Sequence, residues 1–559
     1  MLRNAVLLII LLVLQARDAF ADYPFCNADG ACAWPETCGT CPMECGSCDV
    51  TARTNQRAKY VDRACAEHGD GLADSCAAGP GQPGRFNDLQ LAIESLVAGD
   101  TLYIHPGDYF QPAAAFGPGD NGVHGEPDAP IIITASDRAN PPTIHSWNPS
   151  APDNASSHTA LAIPGEDVII DHLRIDGVAI VWGTRVQLQY IECTHGWEVC
   201  DGNWSCLRAE WCTDCRIHHN YVHDVVDVTN KCNGEWEPRE AGLKEFDGER
   251  NIWEFNTIES AARWGYDLHR NSLDTIVRFN QFQGFGSWAI NIERATNNQI
   301  YGNLIVGAAG CMDVGGLNEQ QQVPHHDLIH HNTCFSAGTG FHVGGEIQTE
   351  LYDNITAALA SGGSESVNVA LPGASQSSDC NAWDASSWFS SLLYEAYYHS
   401  LAEWQVATGL DAASIAAPGG ACTFVDAPAS VDDAEFDLHV ASGDCATLGC
   451  DGREVGPFGI TNCVGHDCGE GGIQPGTGGG TSSGTAGAGG GSTTSSGAGG
   501  MAGNDPEGDS GCTASCAVAR GDRWGALTLL LGLFLLRLCA RDAHGGARRA
   551  RVSRWSLRR

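Results

Sequence analysis

The groups best suited to move a proton lie in five short stretches where apolar and polar residues alternate. They are "GLK" (Gly242–Lys244), "YDLHR" (Tyr266–Arg270), "INIER" (Ile290–Arg294), "MDVGG" (Met312–Gly316) and "FHVGG" (Phe341–Gly345). A period of two is that of a strand, so Leu243, Leu268, Ile292, Val314 and Val343 are expected to face inward together. Their outward neighbours then form two columns. One holds Gly242, Asp267, Asn291, Asp313 and His342, and the other Lys244, His269, Glu293, Gly315 and Gly344. Stacked strands lie about 4.8 Å apart and alternate residues about 6.7 Å apart. Lys244, Asp267, His269, Asn291, Glu293 and Asp313 therefore make one outward patch, flanked by Arg263, Arg270 and Arg294. Any wet face of a sheet carries polar residues. This one mixes a lysine, an imidazole and carboxylates, the equipment of acid–base work, rather than Ser and Thr.

A second concentration of histidine competes for attention. "IHHN" occurs at Ile217–Asn220 and again at Ile329–Asn332, and paired histidines suggest a metal. The chain around them argues otherwise. A template of one apolar residue, two free positions, Asn/Asp/Gln, one free position and a second apolar residue fits at Asp171, Gln189, Asn220, Asn256, Asn280, Asn303, Asn332 and Asn354. A repeat with a shortest interval near twenty residues, lengthened by loops, is the mark of a parallel β-solenoid. Apolar residues fill each coil. The Asn is expected to take the left-handed turn and to bond to the coil beside it. Four coils separate Asn220 from Asn332, on the order of 19 Å, so no single ion could join both histidine pairs. His218, His219, His330 and His331 read as solvated corners.

The repeat, over roughly residues 100–465, resembles that of the pectate lyase-like superfamily. The resemblance implies an all-β, right-handed parallel β-helix. In "RFNDLQLAIESLVAGDTLYI" (Arg85–Ile104), Leu89, Ile93 and Leu96 share a helical face, Asn87 or Asp88 can cap it, and Gly99 can end it. A helix there would cover the open end of the solenoid. A second helix in "LLYEAYYHSLAEWQVATGLDAAS" (Leu392–Ser414) resembles the flap that closes the other end of such proteins.

"WGYDLHRNS" (Trp264–Ser272) resembles the Tyr-Gly-x-Asp-Pro-His motif of mannuronan C-5 epimerases at Gly265, Asp267 and His269. Leu268 stands in place of the proline and Trp264 in place of the tyrosine. Arg294 falls near the substrate-neutralising arginine of those enzymes. More loosely, Lys244, Arg270, Asn291 and Glu293 resemble the base, the assisting arginine and the calcium ligands of alginate and dermatan lyases. Both families begin by removing the proton α to a uronate carboxylate. The resemblance implies His269 or Lys244 as base, Arg294 or Arg270 at the carboxylate, and Asp267 orienting the imidazole. It further implies calcium on Glu293, Asp313 and Asn291, because oxygen ligands suit that ion. The three aspartates and Gly-His-Gly of β-helical polygalacturonases are absent.

The ends are those expected of an exported protein held at the cell surface, associated with the outer membrane or extracellular. Residues 1–21 carry Arg3, a short apolar run and Ala19–Ala21, as an export signal does. Residues 22–50 hold six closely spaced cysteines, read as a disulfide module in an oxidising compartment. Residues 51–84 read as a connector and 85–468 as the β-helix with its cap and flap. Residues 469–510 are a Gly/Ser/Thr linker. Residues 511–559 combine Gly-Cys, a short apolar run and an arginine-rich end, an order that resembles myxobacterial surface-sorting tails; a plain membrane anchor is the other reading. Net charge is −37, and with the basic ends set aside the body is more acidic still. Such a body is a poor ligand for nucleic acid. The expectation is a monomeric, surface-tethered protein whose partners are the cell envelope, through its tail, and an acidic polysaccharide. It would be a lyase or epimerase, or else a non-catalytic β-helix that binds glycan or another cell.

Overall fold

In a computed structural model the described residues run from 57 to 468. Within that span 81, 111–121, 147–158, 195–204, 226–240, 260–262, 316–325, 345–347, 360–364, 370–376, 392–395, 418–421, 429–436, 451, 462–463 and 467 are left out. The expected signal, cysteine module, linker and tail lie outside the described residues. No helix among those described is long and apolar enough to cross a membrane.

Each coil passes through three strands. In one coil they are Ala241–Phe246, Ile252–Glu254 and Thr257–Glu259. Every strand pairs in parallel with its equivalent in the next coil. Ala241–Phe246 pairs with Trp264–His269, and that strand with Trp288–Glu293. Gly310–Val314 and Thr339–Val343 follow. The third strands form a sheet of their own, from Asp108–Phe110 to Ile415–Ala417. The protein is a parallel β-helix. Inside it, Leu268, Ile292, Trp253, Val277, Ile258 and Phe282 are fully buried, one tier above another. Each such side chain contributes about 1.5–3 kcal/mol on leaving water.

The asparagines are the spine of the stack. Asn220, Asn256, Asn280, Asn303, Asn332 and Asn354 each donate from Nδ2 to Oδ1 of the next asparagine, at 2.9–3.1 Å, and the ladder reaches Asn381. Each backbone N–H donates to the same oxygen, as Asn256 does to Asn280 at 2.9 Å. Two expectations need correction. Asp171 and Gln189 do not belong to the ladder: Gln189 pairs with His218, two residues before Asn220. Buried Leu173 and Ile191 stand at the ladder position in those early coils. Nor does the Asn take the left-handed turn. The residue before it does, at His219 (φ 55°), Phe255 (51°), Phe279 (54°), Gly302 (64°) and His331 (53°). The Asn is spared that conformation so that its amide can lie along the stack.

The paired histidines are not solvated corners. His218, His219, His330 and His331 are all buried. His330 is stacked between Tyr301 and Tyr352, with ring centroids 4.7 and 4.8 Å away. His219 lies between Tyr190 and Phe255, each at 5.1 Å. Burial pushes the His219 imidazole down to about 4 and holds His218 and His330 well below the usual histidine range. His218, His219 and His330 are neutral packing elements. Part of their cover is the chain that returns along the outside after the antiparallel hairpin Thr423–Asp426/Asp437–Ser442. Its Gly456 N–H donates to the Asp353 carbonyl and its Gly465 N–H to the Phe279 carbonyl.

Both end caps are present. Helix Leu89–Glu94 is capped by Asp88, whose carboxylate accepts from the Leu91 N–H at 3.0 Å. It stops at Ser95, before Gly99, whose φ of 79° turns the chain into strand Asp100–Ile104. Strand Arg57–Val61, inside the expected connector, pairs with that strand and opens the solenoid. At the other end, helix Leu401–Thr408 buries Trp404 against Phe389 and stops at Gly409 in the left-handed conformation. Disulfides Cys380–Cys450 and Cys422–Cys445 pin this end, and Cys193–Cys206 and Cys212–Cys215 pin the middle coils.

Candidate functional site

The register of the first strands brings the polar residues into two columns, with one shift from the expected alignment. Leu243 pairs with Tyr266 rather than lying level with Leu268. Lys244 therefore moves into the column of Asp267, Gly242 drops out of it, and Glu245 turns inward opposite Leu268. The first column reads Arg208, Lys244, Asp267, Asn291, Asp313, His342. The second reads Glu210, Phe246, His269, Glu293. All eight anticipated site residues except Arg270 and Arg294 fall in these columns, and those two flank them.

The shift changes the partnerships. Lys244 Nζ is ion-paired with Asp267 Oδ2, and both side chains are fully buried. Burial holds the ammonium below the usual lysine range even with Asp267 against it. Asp267 Oδ1 accepts from Asn291 Nδ2 at 2.7 Å. Asp267 is thus committed to Lys244 and Asn291, not to His269. The imidazole of His269 has another neighbour: Nδ1 lies 3.1 Å from Glu293 Oε2, within ion-pair reach though off the line of a hydrogen bond. Arg294 Nε lies 3.6 Å from the other oxygen of Glu293. His269 retains 12% side-chain exposure, Glu293 19% and Arg294 31%, and Arg270 is exposed. Farther along, His342 Nδ1 meets Asp313 Oδ1 at 2.6 Å. Burial pulls that imidazole down, but the bond to Asp313 prevails and holds it above the usual histidine range.

Aromatic rings flank the charges. Arg208, Lys244 and Arg270 lie 4.5, 4.8 and 5.5 Å from the centroid of Phe246, and Arg263 lies 4.0 Å over Trp264. Such contacts steady cations that burial would otherwise disfavour. Behind the columns, inward-facing Glu245 accepts hydrogen bonds from Trp253 Nε1 (2.6 Å), Thr275 Oγ1 (2.8 Å) and Tyr266 OH (3.3 Å). Burial raises its pKa.

Sequence reasoning missed Arg208, Glu210 and Phe246. The signal was available, since "SCLRAEW" alternates like the other slots, with Leu207 and Ala209 buried. The cysteines on either side interrupt the apolar–polar alternation there, yet Ser205–Thr213 is an ordinary coil strand.

The residues expected to hold calcium are engaged with other side chains. Among the described residues, His, Cys, Asp and Glu side chains converge in threes at Asp62, Cys65, Cys76 and at Asp353, Cys380, Cys450, where the cysteines are disulfide-bonded. Asn291 is turned to Asp267, Asp313 to His342, and Glu293 to His269 and Arg294.

No family model and no curated protein matches the chain. Solved structures similar to it include pectate lyase Pel9A, at 14% identity over 60% of this chain and 81% of that one, with a TM-score of 0.41. An alginate lyase from Paenibacillus sp. is 14% identical over 48% and 91%, at 0.38. A rhamnogalacturonan lyase is 15% identical over 58% and 82%, at 0.33. Likeness of this order leaves the chemistry to be argued from the side chains themselves.

Proposed function

We propose that this face is the active site of a surface-tethered enzyme that removes the proton α to a uronate carboxylate in an acidic polysaccharide. The observation that carries the reading is the setting of His269. It is partly exposed, has Glu293 beside Nδ1, and stands with Arg270 and Arg294 on the same face. A uronate α proton is weakly acidic until the carboxylate charge is offset, and arginine supplies that offset. Nδ1 faces Glu293, which leaves Nε2 to take the proton. The C-5–H bond breaks, the proton passes to Nε2, and its electron pair is held by the carboxylate as an enolate. Collapse of the enolate breaks the bond from C-4 to its glycosidic oxygen, which leaves with that electron pair and takes a proton from water, giving a lyase product. Return of a proton to the opposite face gives an epimer. Of the two candidate bases, His269 is favoured because Lys244 is sealed from solvent and already paired.

A non-catalytic glycan-binding face is the second reading, favoured by how completely the Lys244–Asp267 and His342–Asp313 pairs satisfy one another. Incubating residues 22–468 with alginate, pectate and glycosaminoglycans, with and without calcium, separates the readings. New ultraviolet absorbance from unsaturated uronate marks a lyase, and solvent hydrogen at C-5 marks an epimerase. If every polymer stays unchanged under both conditions, the catalytic proposal fails.

A further inference from the structure

Upstream of the first charged column, Trp264, Trp288 and Gly310 open the first strands of successive coils, with both indoles partly exposed and Trp288 paired with Gly310. Trp288 and Gly310 are fitted to one another. A Cβ built on Gly310 would lie 2.2 and 2.4 Å from Cε3 and Cζ3 of Trp288. The indole therefore lies flat across the next coil, in the space any other residue would fill. It reaches towards His342, with ring centroids 5.9 Å apart and planes 26° apart. His342 is itself turned by Asp313, which holds Nδ1 and so aims Nε2 away from the carboxylate. Trp288 and His342 both keep some exposure.

A tryptophan laid flat beside a fixed imidazole offers what a pyranose ring needs: an apolar plate for its C–H face and a hydrogen-bonding nitrogen at its edge. We infer that Trp288, seated over Gly310, and His342, held by Asp313, form a separate sugar-binding station for the same polymer. His342 is three coils from His269, about 14 Å along the axis. The polysaccharide would then lie along the solenoid, the ring at His269 and the ring on the station being different units of one chain. The inference rests on the proposed substrate class, and it assigns the length of polymer the face requires.

The test is binding, which does not depend on turnover. The whole chain is run in affinity gels containing alginate or polygalacturonate, beside Trp288→Ala, Gly310→Ala and His342→Ala. Gly310→Ala keeps the indole but removes its seat. All three are expected to lose at least about tenfold in affinity for long polymer, while affinity for a uronate monosaccharide stays unchanged. Circular dichroism and disulfide content confirm that each variant is folded. Should the parent bind and the three variants bind equally well, the station is refuted and the proposed function stands. Should the parent bind neither these polymers nor glycosaminoglycans, the proposed function and the station fall together.

Discussion

Asp327 offers the sharpest physical test of the fold. It sits where Asn251 and Asn298 sit in other coils, at the first turn of the coil. Its Oδ1 accepts from the backbone N–H of Asn298 at 3.0 Å and from Asn298 Nδ2 at 2.8 Å. Oδ2 is buried with no hydrogen-bond partner among the described residues. Burial pushes the acid up to about 7 from an ordinary 3.8. Between those values the folded chain holds a proton that the unfolded chain has released. The stability from the neutral acid is complete below about pH 4 and is lost as the pH climbs to 7. Roughly three pH units at 1.36 kcal/mol each give about 4 kcal/mol. Asp327→Asn imitates the protonated acid at every pH. Its stability relative to the parent is expected to rise by about 1.4 kcal/mol per pH unit between 4 and 7 and then level off. Urea unfolding at a series of pH values gives the difference. A long solenoid can open in parts, so exchange of the Asn298 amide supplies a local reading. Parallel stability profiles for parent and variant would refute the reasoning.

Other outcomes follow from the same contacts. Asn280→Ala removes four bonds of the ladder, two accepted by Oδ1 and two donated by Nδ2. It should cost more than about 3 kcal/mol, since each buried group left unpaired costs about 1–3, as read by thermal unfolding. Lys244→Met strands Asp267 in the interior and should cost about 3–5 kcal/mol, whereas Lys244→Met with Asp267→Leu should cost far less; equal losses would deny the pairing. If the proposed reaction occurs, His269→Ala should lower kcat by about 10²–10⁴, and Glu293→Gln should move the pH–rate profile without abolishing turnover. His218 and His330 are held neutral by burial, so stability should fall below pH 6.5 as the unfolded chain takes up protons. Their replacement by Phe should flatten that fall, measured by unfolding between pH 7 and 4.

Most of the architecture was legible because a solenoid writes its period into the sequence. The asparagine spacing located the coils from Asn220 onwards, and the alternation around Leu268 and Ile292 identified the inward face. The failures have physical causes. A template match cannot tell a ladder asparagine from a polar residue two positions earlier, which is how Asp171 and Gln189 were misplaced. "AGLKEF" places Leu243 between two polar-tolerant positions, and only pairing with Tyr266 decides which way Lys244 and Glu245 turn. An inward carboxylate contradicts the ordinary pattern. Glu245 is stable there because Trp253, Tyr266 and Thr275 turn donors towards it, a convergence from three strands or turns that no local stretch records. The histidines of "IHHN" read as solvated corners because a turn is ordinarily wet, and the tetrapeptide does not record the rings of neighbouring coils, such as Tyr301 and Tyr352 on either side of His330, that enclose them.

The central claim is that this face removes a uronate α proton, and its most direct test is the fate of that hydrogen. Alginate, pectate and glycosaminoglycans labelled with tritium at C-5 would be incubated with the protein and the solvent counted. Lysis and epimerisation both send the label to water. Release from at least one of these polymers is expected with the parent protein and none with His269→Ala. Label that stays on every polymer, or leaves equally fast with the variant, would contradict that claim.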